Sequence, residues 1–242
     1  MLGLNSKSDE EKIMSKGIFV TATGTDVGKT YVSALLVDKL RRSGKNCGYY
    51  KPALSGAVNV EGKIVPGDCD YVLKFAGIDK APEEFVSYIF EPAVSPHLAS
   101  VITKTPIHVD KIVHDFARIK QEFNYVIVEG AGGIVCPFNL SDGEKILLPD
   151  VIKALGLSVV VVASAALGTI NSTVLTVEYA KSRGISVKGI ILNNYDENDL
   201  MQKDNRVQVE ALTGVKVIAT VKTNEKELNI DEKTLSEIFD EV

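Results

Sequence analysis

Short apolar runs alternate along the chain with stretches whose apolar residues recur at helical spacing. The first run, residues 18–20, suits a buried strand, and Val32, Leu35, Leu36 and Leu40 after it lie on one face of a helix that stops near Ser43 and Gly44. A short strand at 47–50, a Pro- and Gly-bearing loop to 67, a helix over 68–76 and a loop over 91–97 follow. Residues 109–123 read as an amphipathic helix and 125–128 as a second core strand. The second half keeps the rhythm: helix 149–155, strand 159–163, helix 171–183, strand 187–192, helix 200–212, strand 215–221 and a helix from 231. Such alternation predicts an α/β fold with right-handed crossovers, a mostly parallel sheet and helices on both faces. Residues 17–242 are expected to form one domain, and the polar, charged residues 1–16 a flexible extension.

The connection between the first strand and helix carries the strongest chemical signal. Residues 21–30 read Thr-Ala-Thr-Gly-Thr-Asp-Val-Gly-Lys-Thr, which has the strand-loop-helix setting of a phosphate-binding loop. Backbone N–H groups there converge at the positive end of a helix, Lys29 reaches the terminal phosphates and the Thr30 hydroxyl meets Mg²⁺. Thr23 stands where a standard Walker A loop has its first Gly, so this is a variant loop, and simple GTPases and transport ATPases are disfavoured. The domain is thus expected to be of the P-loop NTPase type.

Composition narrows the partners. A net charge of −5 with no Lys/Arg-rich run speaks against a nucleic-acid surface and for small molecules. Cys47, Cys69 and Cys136 lack metal-type spacing, which fits a reducing cytoplasm. The apolar run 155–167 is too short and interrupted to span a membrane.

Ligands in parallel sheets sit at the carboxyl ends of strands. Lys29, Thr30, Lys51, Ser55, Glu129, Asn171 and Asn193 all fall there. Glu129, between four apolar residues and Gly-Ala-Gly-Gly, reads as a metal-side acid, or alternatively as a helix cap or surface ion-pair partner. Lys51 either faces an anion or snorkels to solvent. His97, in a Pro-bearing loop, reads as structural or substrate-lining rather than as a general base, and His108 and His114 read as surface residues.

Five blocks in register resemble the dethiobiotin synthetase family: residues 21–30, Tyr-Lys-Pro-Ala-Leu-Ser-Gly at 50–56, Ser-Pro-His-Leu-Ala at 95–99, Val-Glu-Gly-Ala-Gly-Gly at 128–133 and Leu-Gly-Thr-Ile-Asn at 167–171. The resemblance runs from residue 17 to about 195 and implies ATP- and Mg²⁺-dependent closure of 7,8-diaminononanoate and CO₂ to dethiobiotin, through a carbamate and a carbamic-phosphoric anhydride. It implies that Asp26, Val27, Gly28, Lys29, Thr30 and Tyr31 hold the nucleotide, with Gly130, Ala131 and Gly132 lining the site. Lys51 and Lys29 would be catalytic, and Thr30, Asp68 and Glu129 would face the metal, with Asp70 as the alternative to Asp68. Asn193 and Asn194 would face the base. Thr25, Ser55, Gly168 and Asn171 would hold the substrate, the last two from the second subunit of a homodimer. From the residues alone, Asn171 equally suits the cap of its own helix.

The chain departs from the family pattern at Ala22, at Asn194 and around Thr220 to Thr223, where a Pro-bearing turn is usual. Two rival readings fit less well. A partition-type ATPase needs a second Lys early in the phosphate loop, and 22–25 hold none. A cobyrinate-type amidotransferase needs a glutaminase domain, for which the chain after 195 has no room.

Overall fold

A computed structural model describes residues 15–140, 143 and 145–242. Residues 1–14, most of the expected extension, lie outside these, but Lys16 opens the first strand and Ser15 is buried, so the domain starts earlier than the polarity of that stretch suggests.

The elements run β1 (Lys16–Ala22), α1 (Lys29–Arg42), β2 (Cys47–Ser55), β3 (Val58–Val60), β4 (Lys63–Val65), α2 (Gly67–Phe75), a 3₁₀ turn (Pro82–Phe85), β5 (Val86–Phe90) and α3 (Pro96–Thr103). They continue with α4 (Val109–Glu122), β6 (Tyr125–Glu129), β7 (Pro137–Asn139), β8 (Ile146–Leu147), α5 (Leu148–Ala154), β9 (Val159–Ser164) and α6 (Thr169–Ser182). The last are β10 (Val187–Asn193), α7 (Leu200–Thr213), β11 (Val217–Val221), α8 (Glu232–Glu237) and β12 (Asp240–Glu241).

The main sheet has the order β11-β10-β9-β1-β6-β2-β5, all parallel, with β12 antiparallel to the start of β1. Its central strands are apolar on both faces: Ile18, Phe19 and Val20 of β1 and Val159 to Val162 of β9 are all fully buried. That is the signature of a sheet covered by helices on each side. The two faces separate at β2. Tyr50 turns its hydroxyl to the Ile112 carbonyl of α4, whereas Tyr49 and Lys51 turn the other way, towards β6's Glu129.

Several elements correct the expectations from pattern. The loop expected before residue 67 contains the hairpin β3–β4, and β2 continues through Pro52 to Ser55. The loop expected over 91–97 ends at Ser95, because Pro96 sits at the first position of α3, where it needs no N–H donor, and the Ser95 hydroxyl accepts from Leu98 N. β5 was hidden in an alternating stretch too short to stand out, and β12 fills the part of β1 that β9, pairing only from Phe19 onward, leaves open.

Gly48 shows how tightly β2 is packed. A Cβ there would lie 2.6 Å from the Phe123 ring, itself buried against Phe85. Gly48→Ala is therefore expected to cost about 1–3 kcal/mol through overpacking, read as a lower urea midpoint at unchanged slope.

Candidate functional site

The carboxyl ends of β1, β2 and β6 open on a cleft of about 1010 Å³. Thr25, Asp26, Gly28, Lys29, Thr30 and Tyr31 line it from the loop and the start of α1. Lys51 and Ser55 from β2, Asp68 from α2 and Gly130, Ala131 and Gly132 after β6 complete the predicted part of its wall.

Its floor is a buried carboxylate. Glu129 is 0% exposed; its Oε1 accepts from Thr30 Oγ1 at 2.8 Å and Lys51 Nζ at 2.6 Å, and its Oε2 accepts from Tyr49 OH at 2.8 Å. Register explains the meeting: in parallel pairing Tyr49 faces Ile127 and Tyr50 faces Val128, so Tyr49, Lys51, Ile127 and Glu129 share one face. The Glu129 alternatives of cap or surface charge do not hold. Lys51 does not snorkel either: at 3% exposure, its ammonium lies 2.7 Å from Asp68 Oδ2 as well as against Glu129.

Electrostatics separates the two lysines. Burial pushes Lys51 down, yet the charges of Glu129 and Asp68 outweigh it and hold the ammonium above the ordinary lysine range. Burial dominates at Lys29, which falls below that range despite Glu129, with Lys51 adding to the fall. Its Nζ donates to the Gly24 carbonyl at 3.0 Å. Burial, then the Glu129 charge, keep the Tyr49 hydroxyl well above its usual value, so it stays a proton donor.

The two acids of α2 face different ways. Asp68 reaches Lys51, while Asp70 pairs with Lys74 at 2.7 Å one turn along α2 and does not line the cleft.

Asn193 and Asn194 do not line the cleft; Asn193 closes β10 at 4% exposure, and its Nδ2 donates to the Val27 carbonyl at 3.0 Å. Gly28 has φ 96°, and a Cβ on it would come within 2.0 Å of that amide nitrogen, so only glycine fits. Asn193 Oδ1 is buried without a partner among the described residues. Asn194, at φ 56°, accepts from Thr223 Oγ1 at 3.3 Å, and Tyr31 OH donates to the Glu225 carbonyl.

Gly168 and Asn171 stand apart. Both are exposed and neither lines the cleft of this chain. Asn171 is not the cap of α6, because the helix starts at Thr169 behind Gly168, with no side-chain cap. His97 lies in α3, its Nδ1 accepting from Leu140 N at 3.1 Å, and His108 and His114 are exposed. Tyr49 is the site residue that pattern reading misses, although its two-residue spacing from Lys51 along a strand could have flagged it.

Among the described residues no three His, Cys, Asp or Glu cluster as a metal cage, and no helix is long and apolar enough to cross a membrane.

A parallel sheet with a Gly-Lys-Thr loop between its central strand and a helix, and an acid at the end of the neighbouring strand, defines a P-loop nucleotide-binding protein. The AAA domain family matches residues 16–229. The ATP-dependent dethiobiotin synthetases BioD of Clostridium botulinum strains 657 and Alaska E43 are 48% and 49% identical to this chain, covering 95% and 94% of it and 100% and 99% of themselves. The chain belongs to the ATP-dependent dethiobiotin synthetase family. Two solved structures share the fold alone: the MinC:MinD cell division protein complex of Aquifex aeolicus (TM-score 0.53, 12% identity, covering 88% of this chain and 83% of that one) and a ParA family ATPase of Chlorobium tepidum (0.52, 13%, 93% and 90%).

The Asn193–Val27 bond ties the end of β10 to the phosphate loop. Asn193→Ala is expected to weaken binding of inorganic tripolyphosphate, which has no base, by about fivefold in calorimetry, the value of one lost hydrogen bond of about 1 kcal/mol. Unchanged tripolyphosphate affinity would remove Asn193's role in holding the phosphate loop.

Proposed function

We propose that the protein closes the ureido ring of dethiobiotin from 7,8-diaminononanoate, CO₂ and ATP, the penultimate step of biotin synthesis, as a cytoplasmic homodimer. The observation that carries this reading is the Lys51 ammonium, buried between two carboxylates at the mouth of the phosphate loop. A substrate amine takes up CO₂ as a carbamate and loses a proton, the carbamate oxygen attacks the γ-phosphate and displaces ADP, and the second amine attacks the mixed anhydride, expelling phosphate and a proton. Every step builds or moves negative charge, so the protein's task is alignment and charge stabilisation. Lys51 neutralises the carbamate and the phosphoryl group in transfer, and Lys29 the terminal phosphates. Asp26 to Tyr31 hold the nucleotide, with Asn193 and Asn194 towards the base. Thr25 and Ser55 hold the diamine.

Thr30, Asp68 and Glu129 fit Mg²⁺: they are hard oxygen donors, and the gap between the two carboxylates already accommodates a cationic group. Two carboxylates and a hydroxyl leave the remaining positions to phosphate oxygens and water, as Mg²⁺ prefers. When bound, the ion screens phosphate charge.

The free, buried cysteines accord with a reducing compartment. The exposed start of α6 supports a shared site. Gly168 and Asn171 lie off this chain's own cleft, beside Leu167 at 85% and Leu175 at 62% exposure, an apolar surface suited to a second copy. The free end of α6 suits the substrate carboxylate.

Dethiobiotin formation from the diamine, bicarbonate, ATP and Mg²⁺, followed by mass spectrometry, tests the reaction. Lys51→Met and Glu129→Gln are each expected to lower kcat by about a hundredfold or more; full activity in either variant removes that residue's role. For the assembly, Lys51→Met and Asn171→Ala subunits are dissociated and reassociated together. About half the dimers are then mixed, each with one intact site, so about a quarter of wild-type activity is expected to return. No recovery places each site within one subunit.

A further inference from the structure

Tyr49 takes no part in the reaction just described, yet its hydroxyl is aimed at the centre of the site. The residue is fully buried in β2 and does not line the cleft. It splits the two oxygens of Glu129. Oε1 receives Thr30 at 2.8 Å and Lys51 at 2.6 Å, both of which line the cleft, whereas among the described residues Oε2 receives only Tyr49, at 2.8 Å, from the core side.

We propose that Tyr49 is a positioning residue that sets cation specificity: by holding Oε2 in the core it limits Glu129 to one oxygen on the cleft side, which favours a small octahedral divalent cation over a larger one. The proposal rests on the reading of Glu129 as a metal-side carboxylate. Mg²⁺ binds at about 2.0–2.1 Å in near-octahedral geometry, one oxygen per carboxylate sufficing, whereas Ca²⁺ at about 2.3–2.6 Å takes more ligands and commonly both oxygens of one carboxylate. For Glu129 to offer both, Oε2 must turn away from Tyr49, leaving a buried hydroxyl without its partner. The larger ion bears that cost and the smaller one does not. β2 makes the restraint stiff, since Tyr49 sits in a strand paired on both sides, its main chain fixed against β6 and, from Lys51 on, β5.

The test uses the full chain saturated with ADP and loaded with Mn²⁺, whose bound fraction is followed by electron paramagnetic resonance while Mg²⁺ or Ca²⁺ is titrated in. The ratio of the two displacement midpoints is the preference. Tyr49→Phe, which removes only the hydroxyl, is expected to reduce the preference for Mg²⁺ about tenfold, chiefly through tighter Ca²⁺ binding, because no buried hydroxyl is then stranded. Tyr49→Met carries the same expectation should the Phe variant fold poorly, as judged by circular dichroism. A purely structural Tyr49 would lower the melting temperature and leave the ratio as in wild type, which overturns the proposal. Glu129→Gln separates the two levels: if it weakens Mn²⁺ binding while both Tyr49 variants keep the wild-type ratio, the specificity role fails and the metal reading stands. If it leaves Mn²⁺ binding untouched, the metal reading fails and the proposal falls with it.

Discussion

A carboxylate with no solvent exposure constrains the rest of this structure. Removing Glu129 from water is costly unless its charge is compensated and its oxygens are hydrogen-bonded. Here a cation and two hydroxyls do both, from the first turn of α1 and two positions of β2. The same ammonium satisfies Asp68, which fixes the start of α2. Four elements, α1, β2, α2 and β6, are thereby locked in one arrangement. A slip of one residue between β2 and β6 would turn Tyr49 and Lys51 to the α4 face and bring Tyr50 to Glu129. Burial also makes each partner matter to folding, because removing one side of a buried pair strands the other.

How much of this was legible in the sequence depends on how local each signal is. The phosphate loop was, since Gly28-Lys29-Thr30 carries its own spacing and sits between two strong periodic segments. So was the acid after β6, marked by an apolar run and a glycine turn. Asp68 against Asp70 was not: on a helix the two point to different sides, and which side meets Lys51 is decided by how α2 docks on β2, a tertiary fact. Tyr49 was obscured by its neighbour. Alternation says that Tyr49 and Lys51 share a face, but only the register with β6 says that Glu129 lies on it. β5 is too short for its alternation to stand out, and α3 is masked by Pro96, which signals a loop although it opens a helix.

The turn after β11 departs from the family pattern in a way the contacts explain. Where a proline would stiffen the turn after β11, Lys222 N donates to Glu225 Oε2 at 2.7 Å, Tyr31 OH reaches the Glu225 carbonyl, and Tyr195 N bonds the Val221 carbonyl at 2.9 Å. Thr223 adds its bond to Asn194. A turn held by several hydrogen bonds needs no fixed φ from a pyrrolidine ring.

The variant phosphate loop has a comparable explanation. Thr23 stands where a standard loop has glycine, but its N–H donates to the Val162 carbonyl at 3.0 Å, so the residue still belongs to the ladder between β1 and β9. Ala22, the other departure, is the last residue of β1 and is paired with Val162. Neither has a positive φ; that conformation first appears in this loop at Asp26, at 59°. Asp is among the residues that accept it. The strand therefore runs further into the loop than the motif suggests, and the tight turn is postponed to residues 26–28. There Asn193 holds Val27 from one side, while the turn after β6 packs from the other, where a Cβ on Gly133 would stand at an ordinary contact distance of 3.4 Å from Ala22 O and Gly24 Cα. Glycine is thus demanded at position 28, where the φ is positive and Asn193 crowds the loop, whereas Thr23 has no positive φ and stays paired to β9.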